Sequence, residues 1–415
     1  MTSTEEIAEF VAGVTYDRLP EATREAAKRR ILDSIAVGLR GHDTGAVAAV
    51  KSGLTPAGGR SESRPWGSPS TASAPRAAML NAASIVAGNG PTFLSPTPVP
   101  AGGSIAAVLA VAEARGATGE QTLAGLAAAF ELHGELAWHV PMDRLHPATH
   151  TAVAGAAGTG RAGGLDRAEL QNALGIAASR ITLGIGDGAF GPIAAGNAAA
   201  QGVYAHLLAE GGVSVPDGLA APDGWHDLVG PFDIDLDPGC ERVLDAGVLP
   251  YDSHLYGQPT IEAAIDLAKR VALDPADIES INVETAEKAT GEIDRDRVAA
   301  AVVDRALSVH RGDRADLRPI ADATTVSAIE GTREHPDVES LPARVTVETY
   351  DGDVYEETTG GFEGHPATPA SWGTVEEKFH ALAGEKYDRD RREEIVETVR
   401  GFEAESPTEL ARLLD

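Results

Sequence analysis

The sequence predicts a mainly α-helical protein, with a large all-helical domain over residues 1–250 and a smaller α+β domain over residues 251–385. The final helices, residues 386–415, are expected to pack back on the first domain. Three observations support this fold class. The chain has 415 residues, more than one typical domain. Residues 145–209 are dominated by Ala, Gly, Val, Leu and Ile, and helices of small residues can approach one another closely. After Pro250 the composition changes, and apolar and polar residues alternate as they do in strands.

The first part of the chain carries helical patterns separated by Gly- and Pro-rich segments. Apolar residues at helical spacing predict two helices within 4–39 and one each over 75–87, 104–114 and 119–140. Three segments rich in Gly, Ser or Pro are predicted as loops, at 53–74, 88–91 and 96–100.

The small-residue stretch divides into three predicted helices. One begins at Pro147, one follows Asp166 and one begins at Pro192, because proline is pre-set for the first helical position and needs no N–H partner there. A polar, loop-like segment follows at 217–238.

The second domain mixes both periods. Residues 261–271 have the pattern of an amphipathic helix, and residues 278–285 alternate like a strand. Two alternating runs within 345–358 flank a turn at Gly352 and predict a β-hairpin. Helical patterns return at 375–382 and 391–414.

The charge excludes some classes of partner. The chain has 63 acidic and 34 basic residues, a formal charge of −29, and only six of the bases are lysines. Such a charge repels nucleic acid and anionic membranes, so neither is expected as a partner. An acidic surface with few lysines is also typical of a protein from a very salty cytoplasm, where screening weakens the self-repulsion.

The termini and the cysteine content bound the location and the redox chemistry. Residues 1–6 are acidic, where a secretory signal would be basic and then apolar, so a cytoplasmic protein is expected. No stretch has the length and apolarity of a membrane span. The one cysteine, Cys240, excludes an intrachain disulfide and a cysteine-based metal cluster.

His146 is the first candidate for chemistry. It stands just before Pro147, at the predicted start of a helix, where free backbone N–H groups and the helix dipole favour an anion such as a carboxylate. The dipole also disfavours the imidazolium, which leaves a neutral ring able to accept a proton. The alternative is a histidine that caps the helix or satisfies a buried polar neighbour.

His146 and His150 are four residues apart and have the spacing of two ligands on one helix face. The residues between them include no glutamate at the position that a zinc hydrolase uses for its base, and no third ligand is evident. No metal is therefore expected.

The glycine-rich run 184–188 precedes a helix and has the composition of an anion-binding loop or of a permissive turn. Its spacing is not that of a dinucleotide fingerprint. Asp187 is the only acid between Glu169 and Glu210, so it is a candidate contact for a ligand.

A polar cluster lies at the predicted domain boundary, where clefts form. Tyr251, His254 and Tyr256 together are suited to hold or deprotonate a ligand, and structural packing of the tyrosines is the alternative. Ser253 next to His254 is discounted as a nucleophile pair, because adjacent side chains rarely face each other and no elbow motif surrounds the serine.

Taken together, four segments resemble the MmgE/PrpD family, which includes 2-methylcitrate dehydratase, cis-aconitate decarboxylase and iminodisuccinate epimerase. The resemblance covers most of the chain, and it is carried by the order and spacing of the segments. They are Ile31 to Ala36, Ala107 to Gly119, His146-Pro147-Ala148-Thr149 through to Ala205, and Pro250-Tyr251 with Pro259 to Ala264.

The resemblance implies a 2-methylcitrate dehydratase-like fold, in which the α+β domain is a lid, and a homodimer. It also implies cofactor-free chemistry at a carbon beside carboxylates. His146 matches the family's His-Pro, and Pro250 and Tyr251 are kept. Other charged positions of the family's pattern are replaced, by residues at or near Asn89 to Thr92, Val99, Gly191, Ala194, Leu249 and Gln258.

Two hypotheses for function follow. The first is a hydro-lyase or isomerase acting on a small carboxylic acid, with His146 as general acid or base and Tyr251 or His254 assisting. Its substrate-binding candidates are Arg144, Arg180, Asp187 and Gln258, and no cofactor is expected. The second is a catalytically inactive relative that acts as a binding or partner subunit, because carboxylate binding needs fixed positive charge and several such positions are replaced.

Overall fold

A computed structural model describes residues 1–54, 59–90, 92–95, 99–140, 145–183, 190–271, 273–305, 314–329 and 341–415. The chain forms two compact units. The first contains Met1–Ala246 and Leu382–Asp415, and the second contains Gly247–Ala381. The described residues hold sixteen α-helices and seven strands, so the prediction of a mainly α protein with a smaller α+β domain is confirmed.

The first unit is a bundle of packed helices. In chain order they are α1 (Thr4–Gly13), α2 (Glu21–Gly41), α3 (Gly45–Leu54), α4 (Ala74–Ala87), α5 (Gly102–Arg115), α6 (Gly119–His139), α7 (Ala148–Gly163), α8 (Arg167–Ala178), α9 (Phe190–Glu210) and the short α10 (Trp225–Val229). None of the helices in the described chain is both long and apolar enough to span a bilayer.

Helix α7 lies at the centre of this unit, packed against α5, α6, α8 and α9. Its glycines permit this. A Cβ at Gly158 would lie 2.6 Å from a methyl of Val108 and 2.8 Å from the carbonyl oxygen of Gly125, so only glycine fits between α5 and α6. The small-residue stretch therefore forms the core of the bundle, as its composition predicts.

Three helices of this unit begin with capping boxes, in which the residue before the helix and the third helical residue each satisfy the other's backbone N–H. The pairs are Ser3 with Glu6, Thr118 with Gln121, and Asp166 with Glu169. The starts predicted near Thr118 and after Asp166 are confirmed.

Some local predictions were wrong. Residues 99–100, predicted as part of a loop, form the short strand β2 (Val99–Pro100), which makes a three-stranded sheet with β1 (Phe93–Leu94) and β3 (Ala246–Gly247). Strands of two residues carry no detectable period, and Pro100 is tolerated because β2 is an edge strand. Helix α3 was not predicted, and α9 begins at Phe190 rather than at Pro192.

The C-terminal segment belongs to the first unit and contains two helices, α15 (Arg389–Arg400) and α16 (Pro407–Leu413), where one pattern over 391–414 was predicted. The interruption follows from Gly401 at the end of α15 and from Ser406, whose side chain caps α16. Helix α15 packs on α2, and α16 packs on α5.

The second unit is a mixed sheet with helices packed against it. Its elements are α11 (Gln258–Val271), β4 (Ile278–Thr285), α12 (Arg295–Asp304), α13 (Arg318–Asp322), β5 (Thr324–Ala328), β6 (Ala343–Thr349), β7 (Val354–Thr359) and, at its end, α14 (Trp372–Ala383). The strand order is β5-β4-β6-β7, with β4 and β5 parallel and the other pairs antiparallel.

The predicted strand at 278–285 and the predicted hairpin are confirmed as β4 and as β6 with β7. Val283 pairs with Val345, and Val347 pairs with Tyr355. Buried side chains of β4 and β6 pack with α11 and α12 in one core. Elements α12, α13 and β5 were not predicted, and α11 begins at Gln258 rather than at residue 261.

Candidate functional site

His146 lies where two chain segments meet at the start of α7. Leu145 and Leu183 form an isolated β-bridge, and the backbone N–H of His146 donates to the carbonyl oxygen of Thr182 at 2.8 Å. The half-buried imidazole makes an edge contact with Phe190, with ring centroids 6.1 Å apart. The ring is therefore held at the beginning of α7, as its place before Pro147 predicts.

The side chain of His146 is part of the helix cap. Its Nδ1 atom accepts a hydrogen bond from the backbone N–H of Ala148 at 3.1 Å. An acceptor Nδ1 carries no proton, so the proton of the neutral ring lies on Nε2. This geometry favours a role for His146 as a hydrogen-bond or proton donor through Nε2 over the role of a base. Nδ1 caps the helix, as the alternative from the sequence predicts, while Nε2–H is a donor.

Thr149 holds the other strand of this bridge in place. Its buried hydroxyl accepts the N–H of Thr182 at 3.0 Å and lies 3.3 Å from the carbonyl oxygen of the same residue. That carbonyl also receives the N–H of His146. Thr149 and Thr182 thus fix the backbone on which the imidazole is mounted.

The arginine and acidic candidates near His146 divide into two groups. Arg180 is exposed, two residues before Thr182, and within the described part of the chain no carboxylate lies within ion-pair distance of it. Arg144, Asp187 and the glycine run 184–188 lie outside the described residues.

His150 lies in the core, away from solvent. It is 2% exposed, and its ring contacts His133, with centroids 6.4 Å apart, and Trp225 at 6.0 Å. Burial lowers the pKa of His150 to about 3, with a smaller contribution from His133. Among the residues described, no group of three or more His, Cys, Asp or Glu side chains is arranged to hold a metal ion.

Tyr251 lies in the second unit, half-buried beside α11. Its hydroxyl donates to Oε2 of Glu262 at 3.2 Å, and the same oxygen accepts the backbone N–H of Glu363 at 2.8 Å. Burial and the neighbouring carboxylate of Glu262 raise the pKa of Tyr251. The phenol is therefore protonated at neutral pH and is not a tyrosinate base.

Gln258 serves the loop that carries Tyr251. It is fully buried; its Oε1 accepts the N–H of Tyr251 at 3.0 Å, and its Nε2 donates to the carbonyl oxygens of Tyr251 and Ser253. Both amide hydrogens are thus used within the loop. This geometry argues against the predicted direct contact of Gln258 with a ligand, because its side chain is bound to the backbone of Tyr251 and Ser253.

His254 is on the surface of the second unit. Its side chain is 51% exposed, lies 3.8 Å from the carboxylate of Glu292, and stacks obliquely with Tyr256. The ammonium of Lys288 lies over the ring of Tyr256, 4.7 Å from its centroid. The packing alternative therefore describes Tyr256 well, and His254 remains available to solvent.

Thus the predicted residues form two sets. His146 and Arg180 lie near one another along the chain path through Thr182, and Tyr251 is joined directly to Gln258. Sequence reasoning missed Thr149 and Glu262. A signal existed for both: Thr149 is a polar residue in a helix made mostly of Ala and Gly, and Glu262 is four residues after Gln258, on the same face of α11.

The first unit also contains an open cavity of about 460 Å³ beside α6. Six of its lining residues are acidic: Glu131, Glu135, Asp235, Asp237, Glu241 and Asp245. The guanidinium of Arg242 is engaged by Glu135 and Asp245. Because the lining is strongly negative, this cavity does not suit a carboxylate ligand.

The buried carboxylates of this cavity hold the segment that precedes β3. Glu131 accepts the backbone N–H groups of Asp237 and Arg242 at 2.8 and 3.0 Å, and Glu135 accepts that of Asp235 at 2.9 Å. Burial raises the pKa of Glu131 to about 7, against the effect of its two N–H donors. These groups have a structural role.

Comparisons with known proteins agree with this architecture. The profile of the MmgE/PrpD N-terminal domain matches residues 5–233, and the profile of the MmgE/PrpD C-terminal domain matches residues 251–403. The chain is also similar to cis-aconitate decarboxylase of Mus musculus, with 24% identity over an alignment of 457 positions that covers 99% of this chain and 93% of the relative. The first profile alone covers more than half of the sequence, and the resemblance noted from the four segments is confirmed. The chain therefore belongs to the MmgE/PrpD family.

Proposed function

We propose that this protein is a lyase or isomerase that acts on a small carboxylic acid without a cofactor. The observation that carries the proposal is the hydrogen bond from Ala148 N–H to Nδ1 of His146, which places the ring proton on Nε2 at the mouth of α7. Membership of the MmgE/PrpD family and similarity to a cis-aconitate decarboxylase support the lyase class.

The proposed chemistry uses the Nε2–H group of His146 and the dipole of α7. Dehydration, decarboxylation and epimerisation beside a carboxylate all move a proton, and all develop negative charge on oxygen or carbon. The Nε2–H of His146 would donate to that charge, and the dipole of α7 would favour an anion beside it. Because the ring starts neutral, it does not add a fixed positive charge of its own.

The carboxylate of the substrate needs a cationic partner. Arg180 is our first candidate, because it is exposed, lies next to the segment that holds His146, and has no ion-pair partner among the described residues. A planar guanidinium can bind a carboxylate through two parallel hydrogen bonds. Arg144 and Asp187 stay predictions for the same site, and Tyr251 and His254 stay predicted assistants.

A catalytically inactive family member is the second candidate. It is favoured by the surroundings of positions where the family resemblance implies charged residues: Ala194 and Gln258 are fully buried, and Leu249 is 6% exposed. Gln258 is bound within its own loop. A protein of this kind would keep the fold and bind a ligand or a partner without turning it over.

We further propose that the chain forms a homodimer through α9. One face of this helix exposes Ile193, Asn197, Tyr204 and Leu208, and no charged residue lies between Phe190 and Ala209. Two copies that each carry a formal charge of −29 repel least where they are uncharged. Light scattering after size exclusion should give a dimer, and Tyr204→Asp should give a monomer; a monomeric wild type would contradict this.

The test of function begins with a panel of small acids. Purified protein in high salt is incubated with cis-aconitate, citrate, succinate and an uncharged amide of succinate, and products are followed by proton NMR, with thermal shifts measured in parallel. Turnover of one acid supports the enzyme hypothesis. A thermal shift without turnover favours the inactive relative, and neither effect with any acid contradicts carboxylic-acid chemistry.

A matched variant separates the chemistry of His146 from its structural role. In His146→Asn the side-chain oxygen can still accept the N–H of Ala148, as asparagine does at helix starts, while the ring proton is lost. We expect unchanged folding and a fall in kcat of about 10²–10⁴-fold, the usual contribution of a general acid or base. Full activity in this variant would show that Nε2–H takes no part.

A further inference from the structure

Glu262 occupies a junction in the second unit. It lies on α11, and one oxygen, Oε2, receives both the hydroxyl of Tyr251 at 3.2 Å and the backbone N–H of Glu363 at 2.8 Å. Glu363 in turn accepts the N–H of Ser371 at 3.1 Å and the hydroxyl of Thr374, at the start of α14. Glu262 thus ties the loop carrying Tyr251 to the segment before α14.

The hydrogen bond fixes the direction of the phenol proton. A phenol has one O–H and an oxygen that can also accept. Because the O–H of Tyr251 points to Glu262, the lone pairs of the phenol oxygen are turned away from that carboxylate. Tyr251 can therefore receive a hydrogen bond from a ligand on one side while it donates to Glu262 on the other.

We propose that Glu262 is a positioning residue for Tyr251. Its carboxylate orients the phenol proton and accepts that proton when the phenol oxygen receives another one from a bound carboxylic acid. In this step the ligand O–H or C–H bond breaks, a new O–H bond forms at Tyr251, the former phenol proton moves to Oε2 of Glu262, and the electron pair stays on the ligand. The inference rests on the proposed function for the identity of the ligand, a small carboxylic acid. The hydrogen-bonded coupling of Tyr251 to Glu262 is independent of that function.

The electrostatics of the pair are consistent with this direction of transfer. Burial raises the pKa of Glu262, which makes its carboxylate a better proton acceptor. Burial, followed by Glu262, Asp266 and Glu363, raises the pKa of Tyr251. The raised pKa keeps Tyr251 protonated, so the neutral phenol can accept a proton only if its own proton passes to the neighbouring carboxylate of Glu262.

The coupling is tested by NMR of protein labelled at the ring carbon that bears the tyrosine hydroxyl. The chain has seven tyrosines, and Tyr251→Phe assigns the relevant signal. Glu262→Gln keeps an oxygen that can accept a hydrogen bond but removes the charge. Asp266→Asn is the matched control, since it removes one charge from the same helix, one turn away, without a bond to the phenol.

At neutral pH we expect the ring-carbon signal of Tyr251 to shift more in Glu262→Gln than in Asp266→Asn, because only Glu262 accepts the hydrogen bond of the phenol. Equal shifts in the two variants would overturn the proposal, because Glu262 would then act only as a distant charge. Circular dichroism checks that each variant folds, and Glu262→Gln preserves the shape of the side chain.

Turnover gives the second readout. With the acid identified by the panel, Glu262→Gln should lower kcat about as much as Tyr251→Phe and should remove the acidic limb of the pH profile, while Asp266→Asn retains it. An unchanged pH profile in Glu262→Gln would overturn the role in proton transfer. If the NMR coupling holds but no acid is turned over, the proposed function fails and the positioning of Tyr251 by Glu262 stands.

Discussion

Replacing His133 and His150 by leucine should make the protein less sensitive to acid. The two rings lie between α6 and α7, are 1% and 2% exposed, and no ring nitrogen of either has a hydrogen-bond partner in the described structure. Burial lowers the pKa of His133 to about 4, and burial together with His133 lowers that of His150 to about 3, from an ordinary value of 6.5. Both rings are therefore neutral in the folded protein.

The sign and size of the effect follow from linkage. Since both folded-state pKa values lie below the unfolded value, the contribution of these groups is complete above about pH 6.5 and is lost as the pH falls, because only the unfolded state binds protons. At about pH 5 the solution is about 1.5 pH units below the pKa of an unfolded histidine, and one unit corresponds to about 1.4 kcal/mol. Each ring therefore lowers the free energy of unfolding by about 2 kcal/mol at that pH. The pair should therefore remove about 4 kcal/mol of stability between about pH 7.5 and about pH 5.

Urea unfolding at the two pH values measures this difference for the wild type, the single variants and the double variant. Changes in packing caused by leucine affect both pH values equally, so the difference between them isolates protonation. We expect His133→Leu and His150→Leu each to recover about half of the loss, and the double variant to recover about 4 kcal/mol. If the double variant loses stability as steeply as the wild type, the rings are not neutral and unpaired in the folded state.

Two further predictions concern stability. Thr149→Val should lower the free energy of urea unfolding by about 1–3 kcal/mol, because the N–H of Thr182 loses its acceptor. Thr149→Ser should restore most of this loss. An unchanged free energy of unfolding in Thr149→Val would contradict the role of Thr149 in holding the backbone beside His146. Gly41→Ala should lower the free energy of unfolding by about 1–3 kcal/mol or more, because a Cβ there would lie 1.8 Å from the carbonyl oxygen of Ser84. Gly53→Ala, with no atom within 4 Å of the new Cβ, should instead stabilise α3 by about 0.5–1 kcal/mol, and similar losses in both variants would refute the steric argument.

The sequence predicted those parts of the fold whose signal is local. The start of α6 follows from Thr118 and Gln121, whose reciprocal hydrogen bonds need only four consecutive residues. The alternation of β4 is visible because one of its faces packs on the core of the second unit. Strands β1 and β2 were missed because two residues cannot show a period, and the other partner of β1 is β3, which lies about 150 residues later.

The local position of the candidate residues along the chain could be predicted from the sequence, but their geometry could not. The position of His146 beside Pro147 placed it at a helix start, as observed. Its tautomer follows from the backbone N–H of Ala148, and the backbone of His146 is itself held by the carbonyl oxygen of Thr182, far along the sequence. The partnership of Tyr251 with Glu262 likewise required the fold of the intervening loop. Sequence alone could therefore name the donors without saying which atom carries the proton.

The return of Leu382–Asp415 to the first unit makes the second unit an insertion within the first. Lys28 on α2, only 4% exposed, depends on this return, because its ammonium binds the carbonyl oxygen of Arg400 at 2.8 Å and the carboxylate of Glu403 at 3.1 Å. Lys28 also pairs with Glu25 on the same helix, but during synthesis its contacts with Arg400 and Glu403 form only after residues 382–415 have been made. A gene fragment that stops at residue 246 would accordingly encode an unfinished bundle rather than a free-standing module.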